Sequence, residues 1–458
     1  MPLDYLVTVG SARCRRLPRV RVLQMRDRAL RRLITHAYEN LPYYRRLFDE
    51  NGLDPRDIRT ATDLQAVPVT TKDNLRAVPV EDTVARGLDP RRLLAIKTSG
   101  VTGEPFVVRR TRFEQCVMLK LGMRAMRYFG SRTTDKLASV VRMTPARRRR
   151  GLQKRFLNAF GVHRHIYVDC CLQPEDILKA LRDYGPQVLS GFAGTLAHLV
   201  EAVTPADRRE TRLRFVAPSG EVLTDSMRDR ISKGFGAPVY DRYGSHELTL
   251  IAWQCRETGE LHTCDDAMIV EVLKDGRPAA PGEQGEIVAT NLYAFAMPFI
   301  RYRLHDIVTM GSEQCACGEP FSTIRKIEGR VVDYFLLPDG RWMHPYQIVN
   351  PLVNTTDWVR RFQLIQERMD RLVLLLVPSR QPSAEELTAL QRNAAPPLGS
   401  GVKLRIELVP EIEAGPGGKL RVFRPLAVRA DRGLSAGEPA SGRAEFGEAP
   451  RGGTGVGP

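Results

Sequence analysis

Apolar residues recur at helical spacing between positions 21 and 50: Leu23, Met25, Leu30, Leu33, Ile34 and Ala37, then Tyr43, Tyr44 and Leu47. Such spacing gathers them on one helix face, and Pro42 marks a break between two helices. Residues 51–75 read as a turn-rich connector, with Asn51-Gly52 and Asp54-Pro55, and Thr71 is placed to cap a helix starting near Lys72. Strand and helix patterns alternate after that. Segments 93–98 and 107–110 read as strands around a glycine-rich turn, 113–128 as a helix, 136–142 as a strand, and 174–184 as a helix. A strand at 188–191, a helix at 194–203 and a strand at 213–218 follow. This alternation predicts an α/β architecture with buried sheets.

The pattern changes between 267 and 310, where 268–273, 285–290 and 307–310 alternate as strands and Asp275-Gly276 signals a hairpin. A β-rich module over 250–330 is expected. A hairpin around Pro338-Asp339-Gly340-Arg341 opens a further unit, with a helix near 344–353, strands near 360–366 and 371–377, a helix near 384–394 and a strand at 402–408. The predicted division is a large domain over 1–330 (with 1–75 as its helical lead segment), a small α+β unit over 334–427, and a disordered tail over 429–458, where Gly, Ala, Pro and charge dominate.

Composition narrows the classes. With 43% hydrophobic and 27% charged residues, the 458-residue chain is neither wholly disordered, collagenous nor fibrous. Its longest aliphatic run, 372–377, is far short of the roughly 20 residues a membrane span needs. Residues 1–16 lack a basic segment followed by an apolar one, so no secretory signal is expected. Eight irregularly spaced cysteines do not read as a disulfide framework, and a cytoplasmic location is expected. The net charge of +16 comes from 58 arginines and 11 lysines spread over the chain. The densest run, Arg147 to Arg150 with Lys154 and Arg155, has one nearby aromatic, Phe156, and no nucleic-acid motif around it. A solvated basic face is the first reading, a phosphate-bearing ligand the second, and no nucleic-acid partner is expected.

The first segment with chemical content is Thr98-Ser99-Gly100-Val101-Thr102-Gly103-Glu104-Pro105. Its glycines permit close backbone approach, and its hydroxyl and N–H groups can wrap phosphate oxygens. No Gly-Lys-Ser/Thr follows, so it is not a Walker A loop. Downstream come Ser219-Gly220-Glu221, then Tyr243-Gly244-Ser245-His246-Glu247, then Arg301-Tyr302-Arg303-Leu304-His305-Asp306, then Gly329-Arg330 and Gly417-Gly418-Lys419. In order and separation these resemble the adenylate-forming superfamily of acyl-CoA synthetases, adenylation domains and luciferases. Three further segments resemble its phenylacetate-CoA ligase/CapK-like branch: residues 37–44, the link 64–76, and 296–303. The resemblance covers roughly residues 25 to 425.

That resemblance implies the adenylate-forming fold, with stacked α/β sheets, a β-rich module and a mobile C-terminal lid. It implies ATP, Mg²⁺ and CoA as cofactors and a small carboxylic acid as partner. Ser99, Thr102 and the backbone of Thr98, Gly100 and Gly103 would hold the β- and γ-phosphates. Glu247 would bind Mg²⁺, a hard cation suited to carboxylates. Tyr243 would stack on adenine beside Gly244, Ser219, Gly220 and Glu221 would line the same pocket, and Asp241 would meet the exocyclic amine. Asp306 would accept from the ribose hydroxyls, and Arg330 would reach the nucleotide. Lys419 would set its ammonium against the α-phosphate and acyl oxygens, with His246 nearby. Lys419 must arrive for adenylation and leave for thiolysis, so a rotation about 331–334 is expected. Four positions depart from the family pattern: Glu104 stands where Lys is usual, His246 where Ser or Thr is, Leu304-His305 where Thr-Gly is, and Val332 where a hinge Asp is.

Cys255 and His262 flank a turn, and Cys315-Ala316-Cys317-Gly318 is a second thiol pair on a turn. Together they make a Cys₃His set, a usual composition for structural zinc, with Cys264 as a competing ligand. CapK-like relatives carry similar elements. The remaining cysteines, Cys170 and Cys171 among them, read as small core residues. Phe192, Ala193 and Gly194 fall where relatives bind an aryl acid.

The expected activity is ATP-dependent activation of an aryl or other small carboxylic acid to an acyl-adenylate, with transfer to CoA. Transfer to a carrier protein, amine or sugar hydroxyl, a non-catalytic scaffold role, and nucleic-acid binding are the alternatives. A homodimer is left open.

Overall fold

Helices Arg19–Asn40 and Pro42–Glu50 meet at Leu41, which is extended at φ −120° and ψ 113°. A proline disfavours the helical region for the residue before it but fits the first position of the next helix. Val22, Ala29, Leu30, Leu33, Ile34 and Ala37 are buried on one face of the first helix. Thr71 caps Lys72–Arg76 as expected, its hydroxyl accepting from the N–H of Asn74. The computed structural model describes residues 14–97, 106–141, 164–170, 172–330, 335–338, 342–343, 356, 358–394, 398, 401–413 and 423–426. The phosphate loop 98–105, the basic run at 147–155, Cys171, the 331–334 hinge, the helix expected near 344–353, Lys419 and the 429–458 tail lie outside those residues.

The first six strands are β1 (Leu94–Lys97), β2 (Val107–Arg110), β3 (Leu137–Val141), β4 (His165–Asp169), β5 (Val188–Gly191) and β6 (Phe215–Pro218). β1 and β2 form an antiparallel hairpin. The other four make a parallel sheet in the order β4-β3-β5-β6. Ala138, Val140, Leu189 and Val216 bury one face of that sheet against Ile177, Leu181, Leu196 and Ile231 from flanking helices. In parallel α/β sheets ligands bind beyond the carboxyl ends of the strands. The loops after β5 and β6 therefore occupy the natural position for a site.

Eight more strands are β7 (Arg242–Ser245), β8 (Thr249–Gln254), β9 (Leu261–Thr263), β10 (Met268–Lys274), β11 (Arg277–Pro278), β12 (Gln284–Asn291), β13 (Tyr302–Met310) and β14 (Thr323–Arg330). They form one sheet in the order β11-β10-β12-β13-β14-β9-β8-β7. It starts at Arg242, ahead of the expected 250, because the short polar β7 shows no apolar alternation to betray it. Nor is it an appendage. Leu30, Leu33, Ile34 and Phe48 of the first helices share one core with Trp253, Ile287, Phe299 and Phe321. The last strands are β15 (Phe335–Leu336), β16 (Trp342–Met343), β17 (Val359–Arg368), β18 (Arg371–Pro378), β19 (Lys403–Leu408) and β20 (Phe423–Arg424). β15 pairs with β16, and the rest form a mixed sheet, β19-β18-β17-β20, over a core containing Trp358, Leu364, Leu374 and Leu390.

One buried arginine joins the link segment to the long sheet. Arg301 presents Nε and Nη2 to the two carboxylate oxygens of Glu271 at 3.1 and 2.9 Å. Its Nη1 donates to the carbonyls of Gln65 and Val67 at 2.8 and 2.6 Å. The backbone continues the join, since the N–H of Thr70 donates to the carbonyl of Arg301 and the N–H of Arg303 to that of Thr70. Burial pushes the Glu271 carboxyl up and Arg301 holds it down. Replacing Arg301 by leucine leaves a buried carboxylate uncompensated. The expected loss is about 3–5 kcal/mol of stability, read as a lower denaturant midpoint with the slope unchanged.

Candidate nucleotide and acyl site

Two strand ends supply the first wall. Phe192, Ala193 and Gly194 follow β5 directly and begin the helix Ala193–Leu199. Ser219, Gly220 and Glu221 follow β6. The two groups meet. The N–H of Ser219 donates to the carbonyl of Gly191, and Glu221 Oε2 accepts the N–H of Gly194 at 2.7 Å. Gly220 takes φ +81°, a conformation that favours glycine.

The second wall comes from β7, β13 and the turn after β7. The Tyr243 hydroxyl donates to Asp306 Oδ2 at 2.5 Å, and the Tyr302 hydroxyl to Glu247 Oε1 at 3.4 Å. In the sheet order β13 and β7 are four positions apart, which on a flat sheet means roughly 19 Å. The two contacts require the sheet to curl until its β7 edge overhangs β13. All four side chains are buried. A carboxylate has about four acceptor positions, so the tyrosine bond to Asp306 is compatible with a ribose contact. Asp241 lies just before β7, and burial pushes its carboxyl up although Arg228 and the N–H of Arg242 oppose the shift. The His246 side chain is exposed. Arg330 stands opposite Asp306 in the β13–β14 register.

His305 explains one departure from the family pattern. It takes φ +60°, the left-handed region that glycine enters without strain and other residues at about 1–2 kcal/mol. The backbone bend is kept although the glycine is not, and His305 Nδ1 lies 3.2 Å from Glu286. Arg110 is a residue the motifs did not reveal. Its signal was the inward phase of β2, where Val108 and Arg110 alternate as buried positions. The Arg110 Nη2 donates to the carbonyls of His246 and Glu247, both at 2.7 Å.

Away from these walls, Cys255, His262, Cys315 and Cys317 converge, their ligand atoms all within 4.8 Å of one another. Cys255 follows β8, His262 lies on β9, and the thiol pair sits between β13 and β14. Burial and the charges of Arg15 and Arg124 push the His262 imidazole down to about 4, so it is neutral at pH 7. Burial opposes ionisation of Cys255, but hydrogen bonds from Thr258, Tyr128 and Glu257 bring its thiol down to about 7. Burial dominates at Cys317 and pushes it up to about 12. Cys264 is not part of the group; burial pushes its thiol up to about 12, beside Arg124. The reading of the remaining cysteines as core residues holds for Cys14, which is buried. It does not hold for Cys116, exposed on the outward face of its helix, and Cys170 is half-buried.

Comparisons with known proteins give the chain its relatives. The family model described as the CapK C-terminal domain matches residues 335–424. A phenylacetate-coenzyme A ligase of Thermus thermophilus is 28% identical over 452 residues, spanning 88% of this chain and 96% of the relative. These matches support a phenylacetate-CoA ligase/CapK-like branch of the adenylate-forming enzymes for this chain. Protein CapK of Staphylococcus aureus is 22% identical over 412 residues, covering 87% of this chain and 88% of that protein. The adenylate-forming fold is seen in a solved 2-hydroxyisobutyryl-CoA ligase in complex with R3-HIB-AMP, with a TM-score of 0.75 and 22% identity, covering 91% and 92% of the two chains.

In this chain the Tyr243–Glu247 turn depends on close backbone approach. A Cβ on Gly244 would sit 1.9 Å from the carbonyl oxygen of Thr249. Gly244→Ala should therefore force β7 from β8 and lower stability by about 3 kcal/mol. Calorimetric unfolding checks this, and a shift below one degree would refute the close approach.

Proposed function

We infer that this protein is an ATP-dependent, AMP-forming acid–CoA ligase. A carboxylate oxygen attacks the α-phosphorus of ATP, the bond to pyrophosphate breaks, and an acyl-adenylate forms. The CoA thiolate then attacks the acyl carbon and AMP leaves. The observation that carries this reading is the pair of tyrosine–carboxylate contacts, Tyr243–Asp306 and Tyr302–Glu247, set against the β5 and β6 loop ends. The near full-length match to a protein named as a phenylacetate-coenzyme A ligase supports it.

The residue assignments rest on the motif resemblance. Glu247 suits the magnesium ion that accompanies ATP: it is buried, and among the described residues no lysine or arginine forms an ion pair with its carboxylate. That ion would neutralise phosphate charge. Tyr243, Gly244, Ser219, Gly220, Glu221 and Asp241 would surround the adenine, Asp306 would take the ribose, and the motif assigns Thr98, Ser99, Gly100, Thr102 and Gly103 to the outer phosphates and Arg330 to the nucleotide. Phe192, Ala193 and Gly194 line the acyl side, which suits an aryl or other small acid. Delivery to a carrier protein, amine or sugar hydroxyl, or a scaffold role, gains no support from the named relatives. Among the described residues no helix is long and apolar enough to cross a membrane. The seven described cysteines are free thiols, and the cytoplasmic location is proposed from the cysteine spacing of the sequence.

Pyrophosphate release across a panel of carboxylic acids, with and without CoA, tests the reading; dependence on one acid is expected, and no release with any acid would refute it. Lys419→Ala should slow adenylation by roughly 10²–10³ while ATP binding changes little. Unaltered rates would remove the lysine from the mechanism.

The Cys₃His group fits structural zinc. It has the composition of a closed site, a neutral imidazole, and ligand atoms already gathered. Bound there, the metal would cross-link the β8–β9 and β13–β14 turns. Purified protein should carry about one zinc per chain, and chelation or Cys315→Ser should lower Tm by at least about 5 °C. Metal-free protein of unchanged Tm would refute the site.

A further inference from the structure

The turn between β7 and β8 is held in a conformation its own residues do not favour. Thr249, at its end, takes φ +70°, and a β-branched residue in the left-handed region is a genuine outlier. Such strain persists where the surroundings over-determine the backbone. Arg110 supplies the restraint. One of its nitrogens, Nη2, donates to two consecutive carbonyls of the turn, those of His246 and Glu247, at equal 2.7 Å distances. The side chain is 3% exposed, and its Nε is buried with no hydrogen-bond partner. Removing water from a guanidinium for one bridging contact is costly unless other charges offset it. Burial does push the group down, to about 10, while the carboxylates of Glu114 and Glu247 hold it up, and it stays cationic at pH 7.

Arg110 is itself firmly placed. It ends β2, opposite Leu94 in the hairpin register. Thr111 then caps the helix Arg112–Tyr128 in a reciprocal box with Glu114. The Glu114 carboxylate also accepts the N–H groups of Phe295 and Ala296 at 2.6 and 2.7 Å. The β1–β2 hairpin carries residues 98–105 as its connection. One side chain thus joins the hairpin bearing the phosphate loop to the turn bearing Glu247.

We propose that Arg110 is a positioning residue for nucleotide and metal binding, tying the Glu247 turn to the end of β2 in one geometry. The inference rests on the ligase reading, in which Glu247 serves the magnesium nucleotide. Arg110 acts through the backbone carbonyls of His246 and Glu247.

The test is magnesium-dependent ATP binding, followed by calorimetric titration of the full-length protein, with pyrophosphate release measured separately. Partners that orient metal ligands typically affect affinity by 10–100-fold. Arg110→Met should raise the magnesium concentration for half-maximal ATP binding roughly tenfold, and Arg110→Lys, which keeps the charge but not the planar fork, roughly threefold. The KM for the acid should change less than about twofold. In a Glu247→Gln background Arg110→Met should add little, since the two act on one element. Variants that lose Tm but keep the wild-type magnesium requirement would show a structural role alone and overturn the proposal, as would an undiminished effect beside Glu247→Gln. Arg110→Lys serves as the arm that retains a cation if Arg110→Met folds poorly. Absent pyrophosphate release in wild type would count against the ligase reading, whereas an equal magnesium requirement in wild type and variants would count against Arg110.

Discussion

A single buried guanidinium, that of Arg301, fixes how the chain's two styles of structure meet. Its fork takes Glu271 on β10 and two carbonyls of the link segment. A pair this deep gains little net energy from its charges, because desolvation offsets their attraction. What it adds is geometry: two oxygens and two carbonyls satisfied by one planar group admit few arrangements. Tyr302 follows immediately, and Asp306 lies farther along the same strand. The position of both site residues is therefore inherited from the placement of Arg301.

The site itself is built from compromises in local structure. Thr249, Arg301 and His305 all have positive φ without being glycine, and each lies within two residues of a residue read as functional. The long sheet curls so that strands distant in its order touch through tyrosine and carboxylate. Curling of this degree needs closure elsewhere, and the Cys₃His group lies where the turns of β8–β9 and β13–β14 come together. Tyr128, at the end of the helix that Arg110 leads into, donates to Cys255 at 3.5 Å. The same helix thus runs from the candidate nucleotide site to the candidate metal site.

Much of the fold was legible because burial leaves a periodic trace. The first helices, the parallel strands β3, β5 and β6, and the apolar β18 all show it, whereas β4 carries no such trace. β7, β9 and β14 do not, being short or polar, and they hold their places through neighbours and specific side chains. In the site, the motif residues were legible from their order. Arg110 was not, since an arginine at one inward position of a four-residue strand looks like any surface charge until its partners are known. Cys264 competed with the chosen ligands in the sequence, and it lies outside the group whose ligand atoms converge.

By itself the sequence determined the element types, the ordered motifs and the Cys₃His composition, because helical and strand periodicity and residue chemistry are local properties. The tertiary structure decided which of these meet. Tyr243 reaches Asp306 through the curl of a sheet, Arg110 reaches Glu247 across 137 positions, and Arg301 reaches Val67 across 234. Such contacts depend on strand order, twist and desolvation acting together, and none of these is written in any short stretch of the chain.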